Sequence, residues 1–580
     1  MEKYLIQATI GPVQDFIASA RKLRDLWFGS YFLSELSKTI ARSFKEQGAN
    51  LIFPSIASSD DLAKDSSLIV ANKIFAELET ENSPAYVIEK AKIAWVLHRK
   101  EFAAKTLEKI KKIKKIKINQ DLFNKQIEDS GEFFGAWVKL TDDYKSSKVK
   151  LEKLLAGRKN TREFYAPAWD GTGIPKNSLD GIREAVTGDN QEEIIGLIKK
   201  NEKLDTLGLI KRCYPLTRPN KKLFDDLSKV AIQPWLKGVS LNHYDILVKK
   251  FISNFIEEPL DQDKINQINP VDYADKFYLE NKELIKVKNA YSDYKTLSKI
   301  IGIPNKYACI IVGDGDNMGK TLDMIISSEG HQTFTRLLGM FAQDIEKTIS
   351  DLDGSLIYAG GDDVMAYVPL DSMIECADIV RKKFAETMKK IFDELSLTGK
   401  QPTFSIGAAI VHHSMPLDQA LNTARKAEQT AKKYVSSKKE KKNALAVIQK
   451  KRGGSELVVC DNWEKSQDEK AGIINRFTTM CSLYKNEKLP STLAYQLRQA
   501  SISSGDKLKF EYSDKDKRIV PLNAASVSVL RIFDQKEHSE ILKNLLLNQE
   551  SIRKLSDELV IANQISYAQK LSRGDFSNEI

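Results

Sequence analysis

The sequence predicts an α+β protein in which two αβ units are each followed by a mainly helical region. Three observations carry this reading. At 580 residues the chain is too long for one core, so about three or four domains are expected. Two stretches, near residue 3 and near residue 306, each open as strand, tight turn, long helix. Between and after them the apolar residues recur at helical spacing.

Residues 3 to 10 alternate and read as a strand. Pro12 then opens a long helix, FIASARKLRDLWFGSYFLSELSKTIARSF, because proline suits a first helical turn, where its missing N–H has no partner to lose. Phe16, Ala20, Leu23, Trp27 and Tyr31 mark one buried face; Phe32, Leu36, Ile40 and Phe44 mark another. The helix is therefore expected to bend near Gly29 or to be buried on two sides, and to end at Gly48. Leu51–Phe53 reads as a second strand, Leu68–Leu78 as a third, and residues 86 to 117 as helix. This gives a first αβ domain over 1–120. Residues 121–290 read as helices and loops, with a turn-rich break at YAPAWDGTG, Tyr165 to Gly173. A second αβ domain is expected over 291–455: the strand YACIIV, the turn GDGDNMGKT, a helix to about Ser350, two strands joined by GGDD, a helix, the strand TFSIGAAIV, a helix from Pro416 to Tyr434 and the strand NALAVI. Residues 456–580 read as a helical tail.

Composition narrows the function classes. With 42% hydrophobic and 29% charged residues the chain is ordinary for a globular protein. It has no apolar run near the roughly 18 residues a membrane helix needs, and no signal peptide, so a cytoplasmic protein without membrane contact is expected. The five cysteines make no CxxC pair, which argues against a zinc knuckle, and the six histidines make no HExxH. Net charge is +10, with lysines clustered in KTLEKIKKIKKIK (105–117) and SSKKEKKNALAVIQKKR (436–452). Such runs suit an anionic partner, RNA, DNA or phosphates, or else a solvated helix face.

The chemistry is concentrated in two turns. In YAGGDDVM, apolar alternation on both sides of Gly360-Gly361-Asp362-Asp363 predicts a β-hairpin. Adjacent residues of a flat strand point to opposite faces, so Asp362 and Asp363 can share a site only where the glycines turn the chain. Two carboxylates about 4 Å apart repel by roughly 4 kcal/mol at an effective dielectric near 20. A divalent cation removes that repulsion, and Mg²⁺ or Mn²⁺ suits an all-oxygen site. In GDGDNMGK, Asp314 and Asp316 lie two apart at a strand end and can face one side. Gly315 and Gly319 let a backbone approach a phosphate at the start of the next helix. A P-loop fails because five residues, not four, separate Gly313 from Gly319-Lys320-Thr321. An EF-hand fails because Ile325 stands where its last acidic ligand belongs. The two turns together can hold two cations between Asp314 and the Asp362/Asp363 pair. Such cations would activate a ribose hydroxyl and stabilise a leaving pyrophosphate. Lys432, late on a helix, can reach a triphosphate.

GDGDNMG followed by YAGGDDVMAYVP resembles the palm domain shared by diguanylate cyclases and the large polymerase–cyclase subunit of type III CRISPR effectors. ATIGPVQDFIASARKLRDLWFGSYFLSELS is similar to the first palm of that subunit in its type III-B (Cmr) form. EKLDTLGLIKR (202–212), Ser405-Ile406-Gly407 and ALNTARKAEQTAKK are similar to further stretches of that family. The resemblance implies an α+β fold of two palm domains (ferredoxin-like, of nucleotide-cyclase type) face to face, with two mainly helical domains. The first palm would be metal-free. The second would hold two Mg²⁺ or Mn²⁺ ions on Asp314, Asp362 and Asp363, with Asp362 and Asp363 catalytic. Gly315, Asp316, Gly319, Gly360, Gly361 and Lys432 would line the nucleotide. ATP is the implied substrate and cyclic oligoadenylate the implied product, made in a ribonucleoprotein with other Cmr subunits when guide RNA pairs with target RNA. Two other readings stand beside it: transfer of AMP to S-adenosylmethionine at the same site, and a silent RNA-binding scaffold. The first palm begins at residue 3, where many members carry an HD nuclease domain, so no DNA cutting is expected. Without the family's zinc cysteines, residues 120–285 are expected to be held by packing alone.

Overall fold

The computed structural model describes residues 2–66, 68–81, 83–113, 116–161, 173–188, 192, 194, 197–217, 226–256, 261–435, 441–451, 453, 455–464, 472–513, 518–534, 545–546 and 549–576. Most of the turn-rich segment expected at Tyr165 to Gly173 lies outside these residues.

The first sheet is built from β1 (Glu2–Gly11), β2 (Asn50–Phe53), β3 (Lys73–Thr80) and β4 (Glu132–Lys139) in the order β2-β3-β1-β4, every neighbour antiparallel. Helix α1 (Leu23–Glu46) joins β1 to β2, and α2 (Pro84–Lys112) follows β3. This is a βαββαβ ferredoxin-like palm. Ile6, Ala8 and Ile10 bury against Phe28, Phe32, Leu36 and Phe102 of the two helices. Leu5, Ile52 and Val138 face the other way, onto the helix Tyr144–Asn160. Both faces of β1 are covered, so its residues 5 to 10 are all buried, the polar Gln7 and Thr9 included.

Three expectations change here. The fourth strand lies beyond residue 120, so the first domain extends into the region assigned to a helical linker. And the helix opened by Pro12 does not bend at Gly29. It breaks earlier, into Gln14–Ala18 and α1, because the Asp25 carboxylate accepts the backbone N–H groups of Arg21 and Lys22, both at 3.0 Å, and restarts the helix there. Gly29 instead permits a close approach: a Cβ at this position would lie 3.3 Å from the Ile17 backbone. The alternative expectation, burial on two sides, is what α1 shows. The third strand also starts later than expected, at Lys73.

The break is clamped by α3 (Thr206–Cys213). Lys211 donates to the carbonyls of Phe16 and, at 2.7 Å, Ser19. Arg212 Nε donates to Asp25 at 2.6 Å, and both its terminal nitrogens donate to Glu202 at 3.0 Å. All three ionic side chains of this triad are shut away from solvent. Residues 232–256 and 261–301 form a further helical core around Trp235, Phe251 and Phe277, which Leu571 of the tail joins.

The second sheet runs β10-β9-β8-β5-β7-β6, from β5 (Tyr307–Gly315), β6 (Ser355–Gly360), β7 (Asp363–Pro369), β8 (Phe404–His412), β9 (Ala444–Lys450) and β10 (Leu457–Asn462). Its strands β5 to β8 repeat the order of the first sheet, so this is a second ferredoxin-like palm, extended by β9, parallel to β8, and by β10. The expected boundary at 455 thus falls just before an edge strand of the same sheet. The helix expected to run unbroken to Ser350 is two, α4 (Met318–Met324) and α5 (Ser328–Asp351). Ile325 is extended and Ser327 caps the second by accepting the Gly330 N–H. Helix α6 (Met373–Glu394) and α5 cover one face; α7 (Leu417–Lys433) covers the other. The tail helices α8 (Ile473–Lys485) and α9 (Ile552–Ser572) share the core of α5 and α6.

The palms meet reciprocally. α5 lies on the edge strand β2, where Gln332 donates to Asn50 Oδ1 at 3.0 Å and to the Leu51 carbonyl at 2.7 Å. α1 lies on the edge strand β6, with Leu26 and Ile357 in one apolar cluster. Each palm thereby covers a strand edge that would otherwise expose unpaired backbone groups. Among the described residues no helix is long and apolar enough to cross a membrane. The first lysine run lies at the end of α2, where Lys105 pairs with Glu101 and Lys112 with Glu108 on a solvated face.

Replacing Arg212 by methionine removes the buried cation that Asp25 and Glu202 both pair with. The expected cost is about 3–5 kcal/mol, seen as a lower urea midpoint, while R212K loses less.

Candidate functional site

The central strand β5 ends at the site. Its register sets Asp314 opposite Asp363 on β7 and opposite Ser405 on β8. Gly360 pairs with Asp363, so Gly361 and Asp362 form the two-residue turn of the expected hairpin. Gly361 has φ +67°, a left-handed conformation that glycine adopts without strain. Gly315 lets the two turns touch: a Cβ there would lie 2.9 Å from Asp362 Cβ, and the Gly315 N–H donates to the Asp362 carbonyl at 3.2 Å. Asp314, Asp362 and Asp363 therefore gather at one end of the sheet, as the sequence implied.

Lys432 is brought to the same point by a close packing of backbones. A Cβ on Gly407 of β8 would lie 2.0 Å from the Glu428 nitrogen of α7, so only glycine lets this helix lie so close to the sheet. One turn later the Lys432 ammonium pairs with Asp314 and donates to the Gly315 carbonyl at 3.0 Å. One cation faces three carboxylates. Burial in the cleft, then the Asp314 charge, raises Asp362 from 3.8 to about 6. Asp363 is raised to about 7 by the same causes and by Asp362 itself.

One expected contact falls elsewhere. Asp316 is fully buried and cannot touch a nucleotide. Its Oδ2 accepts from the Thr403 and Ser405 hydroxyls, each at 2.8 Å, and from the Asn443 N–H at 3.1 Å. On a bending strand end, a spacing of two did not keep both aspartates on one face. Gly319 is exposed on the short α4, with nothing within 4 Å of a Cβ built there. Gly360 stands beside Tyr358, whose hydroxyl a Cβ would meet. Thr403, Asn443 and Glu428 were not singled out from the sequence, and Ser405 was named there only within a family-like stretch, with no place at the site. Only pairing the start of β8 with the end of β5 reveals Ser405 at the site. Glu428, half-buried, is raised by burial, and Lys432 opposes that shift.

The donor set is all oxygen, which suits Mg²⁺ or Mn²⁺. Among the described residues no group of three or more His, Cys, Asp or Glu side chains is arranged to hold a metal alone. That fits an open site rather than a cage, since Mg²⁺ is usually held by one or two carboxylates together with substrate phosphates. The ammonium of Lys432 on Asp314 marks where a cation is favoured.

Residues 306–446 match the family model described as Cas10/Cmr2, second palm domain, and residues 5–121 match the one described as CRISPR-associated protein Cmr2, N-terminal. The chain is similar to the CRISPR system Cmr subunit Cmr2 of Pyrococcus furiosus, with 26% identity over 586 aligned positions that cover 82% of this chain and 66% of that protein. It thus spans 66% of the length of this curated relative. Its fold is similar to that of a chain in the type III-B Cmr-beta complex in the apo state (TM-score 0.63, 14% identity, 92% of this chain and 82% of that one). It is also similar to one in the same complex bound to cognate target RNA (TM-score 0.59, 13% identity, 92% and 83%).

The raised carboxylates set a pH dependence. The folded state holds protons that the unfolded chain has released, so this contribution to stability falls as pH rises from about 4 to about 7. With chelator present, the D362N/D363N double variant should melt above the parent at pH 8 and level with it at pH 4. A scanning-calorimetry series across that range checks both ends.

Proposed function

The chain belongs to the Cas10/Cmr2 family, and from that premise we propose that it is the ATP-using subunit of an RNA-guided antiviral effector, transferring nucleotidyl groups to make cyclic oligoadenylate. The observation that carries this reading is the convergence of Asp314, Asp362, Asp363 and Lys432 at one open end of the second sheet. Asp314, Asp362 and Asp363 are the residues to hold Mg²⁺ or Mn²⁺. Bound there, the ions would lower the pKa of a ribose hydroxyl and neutralise charge on the leaving pyrophosphate. Lys432 supplies a point charge for the triphosphate. Gly315 and Gly361 keep the turns free of side chains that would fill the phosphate space. The corresponding turn of the first palm, Ile10-Gly11-Pro12-Val13, has no carboxylate. That palm then serves as a wall for a second ATP rather than as a second metal site.

Its partners, in this reading, are other Cmr subunits, guide RNA and target RNA. The named Cmr2 relative and the Cmr-beta structure with cognate target RNA support that assignment.

The assembled complex should convert labelled ATP, with Mg²⁺ and target RNA, into new adenylate products resolved by mass spectrometry. D362A/D363A should lower that rate by at least about a hundredfold. Products unaffected by these changes would refute the assignment. A product mass that rises by one S-adenosylmethionine when that compound is added would move the acceptor from ATP to S-adenosylmethionine and leave the metal site as described.

A further inference from the structure

Asp316 is the one acid of the two turns that solvent does not reach. Its Oδ2 is saturated by Thr403, Ser405 and Asn443. Its Oδ1 is buried and has no hydrogen-bond partner among the described residues, an unusual state for a carboxylate oxygen. Among the described residues the cation facing it is the Lys432 ammonium, 3.9 Å from that oxygen. An ammonium has three N–H donors. One goes to Asp314 and one to the Gly315 carbonyl, 3.0 Å away. Lys432 thus stands between two carboxylates, paired with the outer one and just out of hydrogen-bond reach of the inner one.

We propose that Asp316 is a positioning residue that offers Lys432 a second seat, so that the ammonium can leave Asp314 to a divalent cation without leaving the site. Without the metal, Lys432 neutralises Asp314. When a cation takes Asp314, a shift of about 1 Å brings the ammonium to charge-assisted hydrogen-bond distance from Asp316 Oδ1. The lysine stays at the cleft, where a triphosphate needs it. Three features hold the seat in place: the Thr403 and Ser405 hydroxyls, the Asn443 N–H, and the Asp316 N–H, which donates to the Thr403 carbonyl at 2.7 Å. Asn443 and its neighbour Lys442 both have positive φ, 48° and 63°. The inference rests on the reading of Asp314 as a metal ligand.

The test uses Mn²⁺ alone, with free Mn²⁺ followed by electron paramagnetic resonance on the full chain. D316N should weaken binding about tenfold, within the range of couplings found inside one ion-pair network. K432M should tighten it, because Asp314 loses its internal competitor. In the K432M background D316N should have no further effect. If D316N weakens Mn²⁺ equally in both backgrounds, its charge acts directly on the metal and the second seat is refuted. E428Q, one turn before Lys432, separates the rival carboxylate: coupling to Lys432 there and not at position 316 would also overturn the proposal. D362N is the independent control. If it binds Mn²⁺ like the parent, the metal reading itself fails; if it loses Mn²⁺ while D316N does not weaken it, only the seat fails. Should D316N not fold, a Mn²⁺-soaked crystal of the parent decides. Lys432 moved onto Asp316 supports the proposal, and Lys432 still on Asp314 overturns it.

Discussion

Three carboxylates held at one end of a sheet repel each other, and the second palm is arranged around that repulsion. The antiparallel register of β5 with β7 puts Asp314 opposite Asp363, and the two-residue turn adds Asp362. Nothing in a hairpin requires acids at these places, and their proximity opposes folding unless positive charge is supplied. Among the described residues the cation paired with them is Lys432, brought there because Gly407 lets α7 lie backbone-to-backbone on β8. The remaining negative charge is what a divalent ion and a triphosphate would meet.

The rest of the architecture makes that site rigid and one-sided. Two palms of the same strand order cover each other's edge strands through α1 and α5. The Arg212–Asp25–Glu202 triad fixes where α1 begins. A second buried ionic cluster, Arg476 with Asp461 and Glu558, ties the edge strand β10 to the tail helices α8 and α9. The tail is therefore packed into the second palm's own core and is not an appended module. Buried ion pairs of this kind add little net stability over apolar packing, but removing one partner is costly, so they fix geometry more than they add strength.

Much of this was legible in the sequence because its signals were local. Apolar alternation around Gly-Gly specifies the hairpin, and Asp314 at the end of YACIIV reads as a strand terminus. The two similar openings foreshadowed two palms of one topology. What could not be read was tertiary. The helix break at residues 19–22 depends on Asp25, Lys211 and Arg212, which are far apart in sequence. The fourth strand of the first palm lies beyond α2, where FFGAWV gave too weak an alternation to stand out. Asp316 shares its spacing with Asp314, yet it turns inward because Thr403, Ser405 and Asn443 wait for it. Gly29 looks like a hinge and is a contact; Gly407 looks unremarkable and sets the position of Lys432.

The central claim is that Asp314 and the Asp362/Asp363 turn bind ATP through a divalent metal. Equilibrium ATP binding, measured by calorimetry on the parent and on D314N with and without Mg²⁺, tests it most directly. The account predicts binding that requires Mg²⁺ in the parent and is lost in D314N. ATP binding that ignores Mg²⁺, or that survives unchanged in D314N, would contradict it.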